Sequence, residues 1–189
     1  MDDRDLDGPA DAALPRAALA RLALSAAAKE VADRAMWLVP VPAEPPPDAR
    51  HVEEAARLVT AAQAVLTQAV VHARESGASW SSVSSALNVT RQAAHLRFSD
   101  AVSRWRAALD QPWTTDDDGM RCELPKGADL PDQHMRALDL WCHRHINPEI
   151  EARQGFPVPL GSGAHMVSDN LPQHTEETRR ATAERFRRS

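Results

Sequence analysis

Several residue types are scarce in this sequence, and each scarcity excludes a class of protein. Tyrosine is absent, aromatic residues make up 4% of the chain, and there are two cysteines. Two cysteines cannot build a disulfide framework, so Cys122 and Cys142 are expected as thiols in a reducing compartment. No apolar run approaches the ~18 residues of a membrane span, and the acidic start lacks a signal-peptide pattern. We therefore expect a cytoplasmic protein without a membrane partner.

The residues that are plentiful favour helices. Hydrophobic residues make up 43% of the chain, which is enough for a core, and the abundant alanine favours helices that pack closely through small side chains. Lysine is nearly absent beside arginine, and the bias towards alanine, arginine and proline is typical of a high-GC bacterial coding sequence. The composition predicts an all-α fold, built as a multi-helix domain with a loop-rich C-terminal region.

Composition and periodicity divide the chain into six segments. Five aspartates mark the start as an acidic tail, and five prolines between positions 40 and 48 mark a semi-rigid linker. The segments are an acidic tail at 1–14, an N-terminal helix at 15–39, the linker at 40–48, a helical unit at 49–111, a helix with loops at 112–174, and a basic helix or tail at 175–189.

The unit at 49–111 begins with the longest predicted helix. Apolar residues recur every three or four positions from 49 to 76, and Gly77 is a typical C-terminal stop. The predicted apolar stripe consists of Val52, Ala55, Val59, Ala62, Leu66, Ala69 and Ala73. A short helix should follow from Ser79 to Leu87. We expect the long helix to pack across this short helix and the one after it, because a helix pair cannot bury its inner face alone.

Residues 88–90 have the chemistry of a tight turn. Asn88 tolerates the left-handed conformation common at helix ends, and Val89 supplies an apolar side chain predicted to lie under the turn. Thr90 is a good N-cap whose hydroxyl can accept from the amide of residue 92 or 93. A second helix should therefore start at Arg91 and continue to about residue 109.

This run resembles a known DNA-binding element. The sequence LNVTRQAAHLRF at 87–98 is similar to the recognition segment of bacterial helix-turn-helix proteins, especially those resembling the C-terminal, region-four part of sigma factors. Thr90 to Ala93 match the pattern position by position, whereas Asn88, Ala94 and Phe98 depart from it. The resemblance implies that 49–111 is a tri-helical DNA-binding domain, and that the protein is a transcriptional regulator acting on double-stranded DNA.

Candidate DNA contacts lie on the helix predicted at 79–87 and on the helix that starts at Arg91. Arg91 is expected to reach a guanine or a phosphate, Gln92 an adenine, and His95 further bases or backbone. Phosphate contacts are expected from arginines and from the first turn of the short helix. The full set is Ser79, Ser81, Thr90, Arg91, Gln92, His95, Arg97, Ser99 and Arg104.

The charge distribution favours this region as the binding surface. Between positions 78 and 109 four arginines stand against the single acid Asp100, a balance of +3 in a chain whose net charge is −5. A basic island in an acidic protein is typical of a phosphate-binding surface. A single motif reads few base pairs, so we expect a homodimer that pairs through 15–38 or 131–146.

Other interpretations remain open. One alternative is a helical adaptor that binds a protein of the transcription machinery and needs no DNA. A regulator that senses a small molecule would be an extension of the DNA-binding hypothesis. No arrangement of nucleophile, base and acid indicates an enzyme, and no cofactor motif is present. Zinc is disfavoured, because adjacent ligands on one helix point about 100° apart; the candidates are Cys122, His134, Cys142, His143 and His145.

Overall fold

A computed structural model describes residues 14–40, 49–116, 119–145 and 167–168. Across these ranges the chain forms five helices and one two-stranded sheet. In chain order they are α1 (Arg16–Leu38), α2 (Arg50–Glu75), α3 (Trp80–Ala86), α4 (Arg91–Asp110), β1 (Trp113–Asp116), β2 (Gly119–Cys122) and α5 (Pro131–His145). The predicted all-α, multi-helix fold is confirmed. The predicted acidic tail at 1–14, linker at 40–48 and basic helix or tail at 175–189 lie outside the described residues, apart from Leu14 and Pro40. The segment predicted at 112–174 is described at 112–116, 119–145 and 167–168.

The helices α1 and α2 form an antiparallel pair that supports the rest of the fold. Arg34, near the end of α1, lies 3.9 Å from Glu54, near the start of α2. At the other end of the pair, buried Ala20 and Ala23 share a cluster with Val71. Alanines at this contact allow the two helix backbones to approach closely, as the composition predicts.

The other side of α1 is covered by α5. Leu22 of α1, which is fully buried, packs with Met135 and Leu138 of α5. Asp139 is buried beside them, and its carboxylate accepts a hydrogen bond from the Ser168 backbone amide at 3.1 Å. The buried parts of α1 and α5, which belong to the two helices predicted to pair in a homodimer, therefore pack on each other within the chain, whereas Trp37 near the end of α1 is 81% exposed.

A short hairpin follows α4. The strands β1 and β2 are antiparallel, with Trp113 opposite Cys122 and Asp116 opposite Gly119. This hairpin lies in the segment that the sequence predicts as a helix with loops. None of the helices in the described ranges is long and apolar enough to cross a membrane.

Two apolar surfaces are only partly covered. Trp141 of α5 is half-buried, and its indole nitrogen donates to the Asp33 carboxylate at 2.9 Å, so the polar edge of the ring lies against a polar partner. The apolar stripe of α2 is only half covered: Val52 and Val59 are 70% and 58% exposed. Periodicity identifies an apolar face but does not show how much of it another element covers.

Candidate nucleic-acid interface

Three helices form the core of the candidate interface. The C-terminal half of α2 crosses α3 and α4, and the four residues at the crossing are buried: Val70, Val83, Ala94 and Phe98. Leu66, Trp80 and Leu87 pack around them. The packing predicted from the sequence is thus confirmed, and it holds α3 and α4 as a helix-turn-helix with its outer face towards solvent.

The turn between α3 and α4 is closed by backbone hydrogen bonds. Asn88 has φ 53°, the left-handed conformation predicted for it. The Val89 amide donates to the Ser84 carbonyl at 3.1 Å, and the Asn88 amide donates to the Ser85 carbonyl at 3.2 Å. This is the Schellman arrangement of a helix end. It leaves Val89 46% exposed, so the prediction that Val89 lies under the turn is wrong.

The end of α2 is closed in the same way. Gly77 has φ 89°, the Ala78 amide donates to the Ala73 carbonyl at 2.9 Å, and the Gly77 amide donates to the Arg74 carbonyl at 3.1 Å. Two joints of one type therefore set the directions of α3 and α4 relative to α2.

Side-chain caps fix the starts of α3 and α4. The Thr90 hydroxyl accepts from the Ala93 amide at 3.1 Å, as its position predicts. The Ser79 hydroxyl accepts from the Ser82 amide at 3.0 Å and lies 2.9 Å from the Ser82 hydroxyl. Ser81, beside them, is exposed. Thr90 and Ser79 thus have structural roles already, and each keeps a hydroxyl group near the surface.

The first turns of α4 present polar side chains to solvent. Arg91, Gln92 and His95 are all exposed, whereas Ser99 is half-buried. Within the part of the chain that the structure describes, Arg91 and Gln92 form no ion pair or side-chain hydrogen bond. A guanidinium and an amide that are exposed and unpaired at a helix start can engage a ligand without first breaking an internal contact.

His95 belongs to a group of three side chains, with Trp80 and Arg74, that joins α2, α3 and α4. Its ring meets the Trp80 ring edge-on, with centroids 5.1 Å apart. The Arg74 guanidinium lies 4.8 Å from the centroid of the same Trp80 ring, and it also donates to the Ala78 carbonyl. The imidazole of His95 is therefore exposed at the surface and held in place by contact with α3.

The structure separates the four arginines of the basic island into two kinds. Arg106 pairs with Glu75 at 2.8 Å, and that glutamate side chain is only 5% exposed. Arg104 pairs with Asp100 at 3.1 Å, both side chains being exposed. Arg97 lies over the Phe98 ring at 4.9 Å. The charge window from 78 to 109 omitted Glu75. Among the described residues, the arginines of α4 without an acidic partner are Arg91 and Arg97.

One surface residue was not among the predicted contacts. Leu96 is 81% exposed and sits on α4 between His95 and Arg97, one turn after Gln92. Its position follows from the helical period, but an apolar side chain was not counted as a candidate. An exposed apolar group on such a face can contact the methyl group of thymine.

The residues considered for zinc are distributed over two elements, with Cys122 on β2 and Cys142, His143 and His145 on α5. In the ranges 14–40, 49–116, 119–145 and 167–168, no three His, Cys, Asp or Glu side chains are grouped so that they could hold a metal ion. Burial raises the pKa of the Cys142 thiol, and the nearby Asp139 carboxylate acts in the same direction. This thiol is protonated at neutral pH.

Comparison with known proteins identifies no relative: no protein-family model, no curated protein and no solved structure matches this chain.

Proposed function

We propose that this chain is a cytoplasmic, sequence-specific DNA-binding protein that regulates transcription. The observation that carries the proposal is the pair Arg91 and Gln92, which are exposed at the capped start of α4 and form no ion pair or side-chain hydrogen bond with the described residues. A helix held by two others with its polar start towards solvent is the arrangement that enters the major groove in helix-turn-helix proteins.

Base recognition falls to the first two turns of α4. The Arg91 guanidinium can donate two hydrogen bonds to a guanine edge, and the Gln92 amide can pair with adenine. Leu96 adds contact with a thymine methyl group, and His95 is positioned by Trp80 to reach an adjacent base or phosphate. Ser99, half-buried one turn later, contributes only if the groove closes around the helix.

Phosphate contacts flank this surface. Arg97 is available on one side of α4, and Ser81 lies beside the start of α3. Arg104 must exchange Asp100 for a phosphate, and because that ion pair is exposed the exchange costs little. Ser79 and Thr90 support the contacts through their caps. Because phosphate neutralisation releases counterions, binding should weaken steeply as salt is raised.

A matched set of variants tests the proposal. Arg91→Ala and Gln92→Ala should each weaken binding to the preferred site by about 1–3 kcal/mol, which is about 5–150-fold in Kd. Arg136→Ala is the control, since it removes the same charge from an exposed position on α5 and should leave binding unchanged. The site is first obtained by sequencing the genomic fragments that the purified protein enriches, and Kd is then measured by gel-shift titration.

The alternative is the adaptor that binds a protein of the transcription machinery. The exposed Leu96 on α4 is the observation that favours it, because burial of an apolar side chain against a partner is favourable. An adaptor would enrich no DNA sequence. In that case Arg91→Ala would leave DNA retention at its background level, and the DNA-binding proposal would fail.

A further inference from the structure

The middle of α2 has an unusual surface for an exposed helix. From Ala55 to Val71 the sequence contains one charged residue, Arg57, although about half of these positions are exposed. Solvent-exposed helix faces usually carry charged side chains. Depletion of charge on an exposed face is instead typical of the centre of a protein interface.

The uncharged surface continues the stripe that holds the helix-turn-helix. Residues three, four or seven apart share one face of a helix, so Val52, Ala55, Val59 and Ala62 lie in line with Leu66 and Val70. The helix-turn-helix covers Leu66 and Val70. The other half of the stripe, from Val52 to Ala62, is exposed; we name it the open half-stripe.

We propose that the open half-stripe is the interface with a second copy of this chain, whose α2 packs on it in the antiparallel direction. The twofold axis lies between Ala55 and Ala56. Val52 of one copy then faces Val59 of the other, and the alanines at the axis allow the close approach, about 8–10 Å between helix axes, that tight helix packing requires. A twofold interface must be self-complementary, and an uncharged stripe places no like charges opposite each other.

The described length of α2 has room for this pairing. With the axis between Ala55 and Ala56, position 50 of one copy lies opposite position 61 of the other. The partner helix therefore begins before Leu66, where the helix-turn-helix starts to cover the stripe, and the two do not compete for space. The partner's α2 therefore lies on the part of the stripe that the helix-turn-helix of the same chain leaves uncovered.

The same pairing places two recognition helices at a useful distance; this step rests on the proposed DNA-binding function. The helix-turn-helix is centred near residue 70, roughly 22 Å from the axis at 1.5 Å per residue. Two such units are separated by roughly 44 Å along α2, which a crossing angle of about 50° shortens to roughly 40 Å. Adjacent half-sites on one face of DNA are about 34–36 Å apart.

The expected dimer is weak. One helix pair buries less area than the roughly 1,200 Å² of a standard stable interface, so dissociation into monomers should be measurable and DNA with two half-sites should favour the dimer. Sedimentation equilibrium of the full chain without DNA, up to about 100 µM, should show a shift from monomer to dimer mass with concentration.

Two glutamate substitutions on α2 form a matched pair. Ala55→Glu places like charges beside the axis in both copies, so the dimer should be lost. Ala64→Glu introduces the same residue nine positions later, on the opposite side of the helix at about 100° per residue, and should sediment like the wild type. Both alanines are exposed, and circular dichroism checks that both variants fold.

The outcomes separate this proposal from the DNA-binding proposal. A wild-type chain that stays monomeric without DNA and with a two-half-site fragment, or an Ala55→Glu variant that still dimerises, overturns the dimer. If the protein is a monomer and the open half-stripe is protected from carbene labelling, another segment of the same chain covers the stripe. That result also overturns the dimer proposal. If the protein is a monomer that enriches specific DNA, the dimer proposal fails and the DNA-binding proposal holds. If it is a dimer that enriches no DNA sequence, the interface proposal holds and the DNA-binding proposal fails.

Discussion

An added methyl group at Gly127 should lower the stability of the fold. It follows the hairpin, has φ 101°, and faces the backbone of α1. A Cβ atom built on it would lie 2.6 Å from the Leu22 carbonyl oxygen and 3.1 Å from the Ala23 Cα. These neighbours are backbone atoms of a buried helix, so they cannot rotate away as a flexible side chain would.

The expected loss in Gly127→Ala has two parts. Left-handed backbone costs a residue with a Cβ roughly 1–2 kcal/mol. Forcing the turn away from α1 adds an overpacking cost of about 1–3 kcal/mol. The sum, about 2–5 kcal/mol, corresponds to a fall in Tm of roughly 4–20 °C for a chain of this length.

Gly77→Ala is the control, because Gly77 also has positive φ, 89°, but nothing lies within 4 Å of its built Cβ. It should incur the backbone cost alone. Urea titrations of the wild type and the two variants, followed by circular dichroism, give the free energies of unfolding. If Gly127→Ala loses no more stability than Gly77→Ala, the close approach between the turn and Leu22 is not a packing constraint.

Two further predictions concern buried ionisable side chains. Burial, assisted by the charge of Arg21, lowers the pKa of His72 below its ordinary value of 6.5; the stability that neutral His72 contributes is therefore present above pH 6.5 and is lost as the pH falls below it. The Tm of the wild type should drop between pH 7.5 and 5 by more than that of His72→Gln, and equal drops would contradict the shift. Arg106→Ala leaves the buried Glu75 carboxylate unpaired and should cost about 1–3 kcal/mol in urea denaturation, most of which the added change Glu75→Gln should restore; an unchanged midpoint in the single variant would show that the pair contributes nothing.

Local chemistry made the helix-turn-helix predictable from the sequence. Gly77 and Asn88 mark helix ends because few other residues adopt positive φ easily, and Thr90 marks a start because its hydroxyl can satisfy a free amide. These signals depend on a few neighbouring residues, so they can be read without knowing the fold. The inner positions of α3 and α4 followed from helical spacing in the same way.

Features that depend on distant residues were not predictable. Pairing of Arg106 with Glu75 connects two helices 31 positions apart, and Trp141 meets Asp33 across 108 positions. A count of charges within one window cannot include such partners. Likewise the stripe on α2 reads as one continuous apolar face, and only the position of the helix-turn-helix divides it into a covered and an open half.

The repeated Schellman joint has a consequence for how this domain can change. The directions of α3 and α4 are fixed by main-chain hydrogen bonds at Gly77 and Asn88 and by packing beneath the turn. Among the outward side chains of α4, His95 contacts Trp80 and Ser99 is half-buried, whereas Arg91, Gln92 and Leu96 are exposed and take no part in these contacts. Those three side chains can therefore be exchanged without redesigning the scaffold, which makes this helix a starting point for retargeting: a library randomised at the three positions should retain the fold while its members diverge in what they bind.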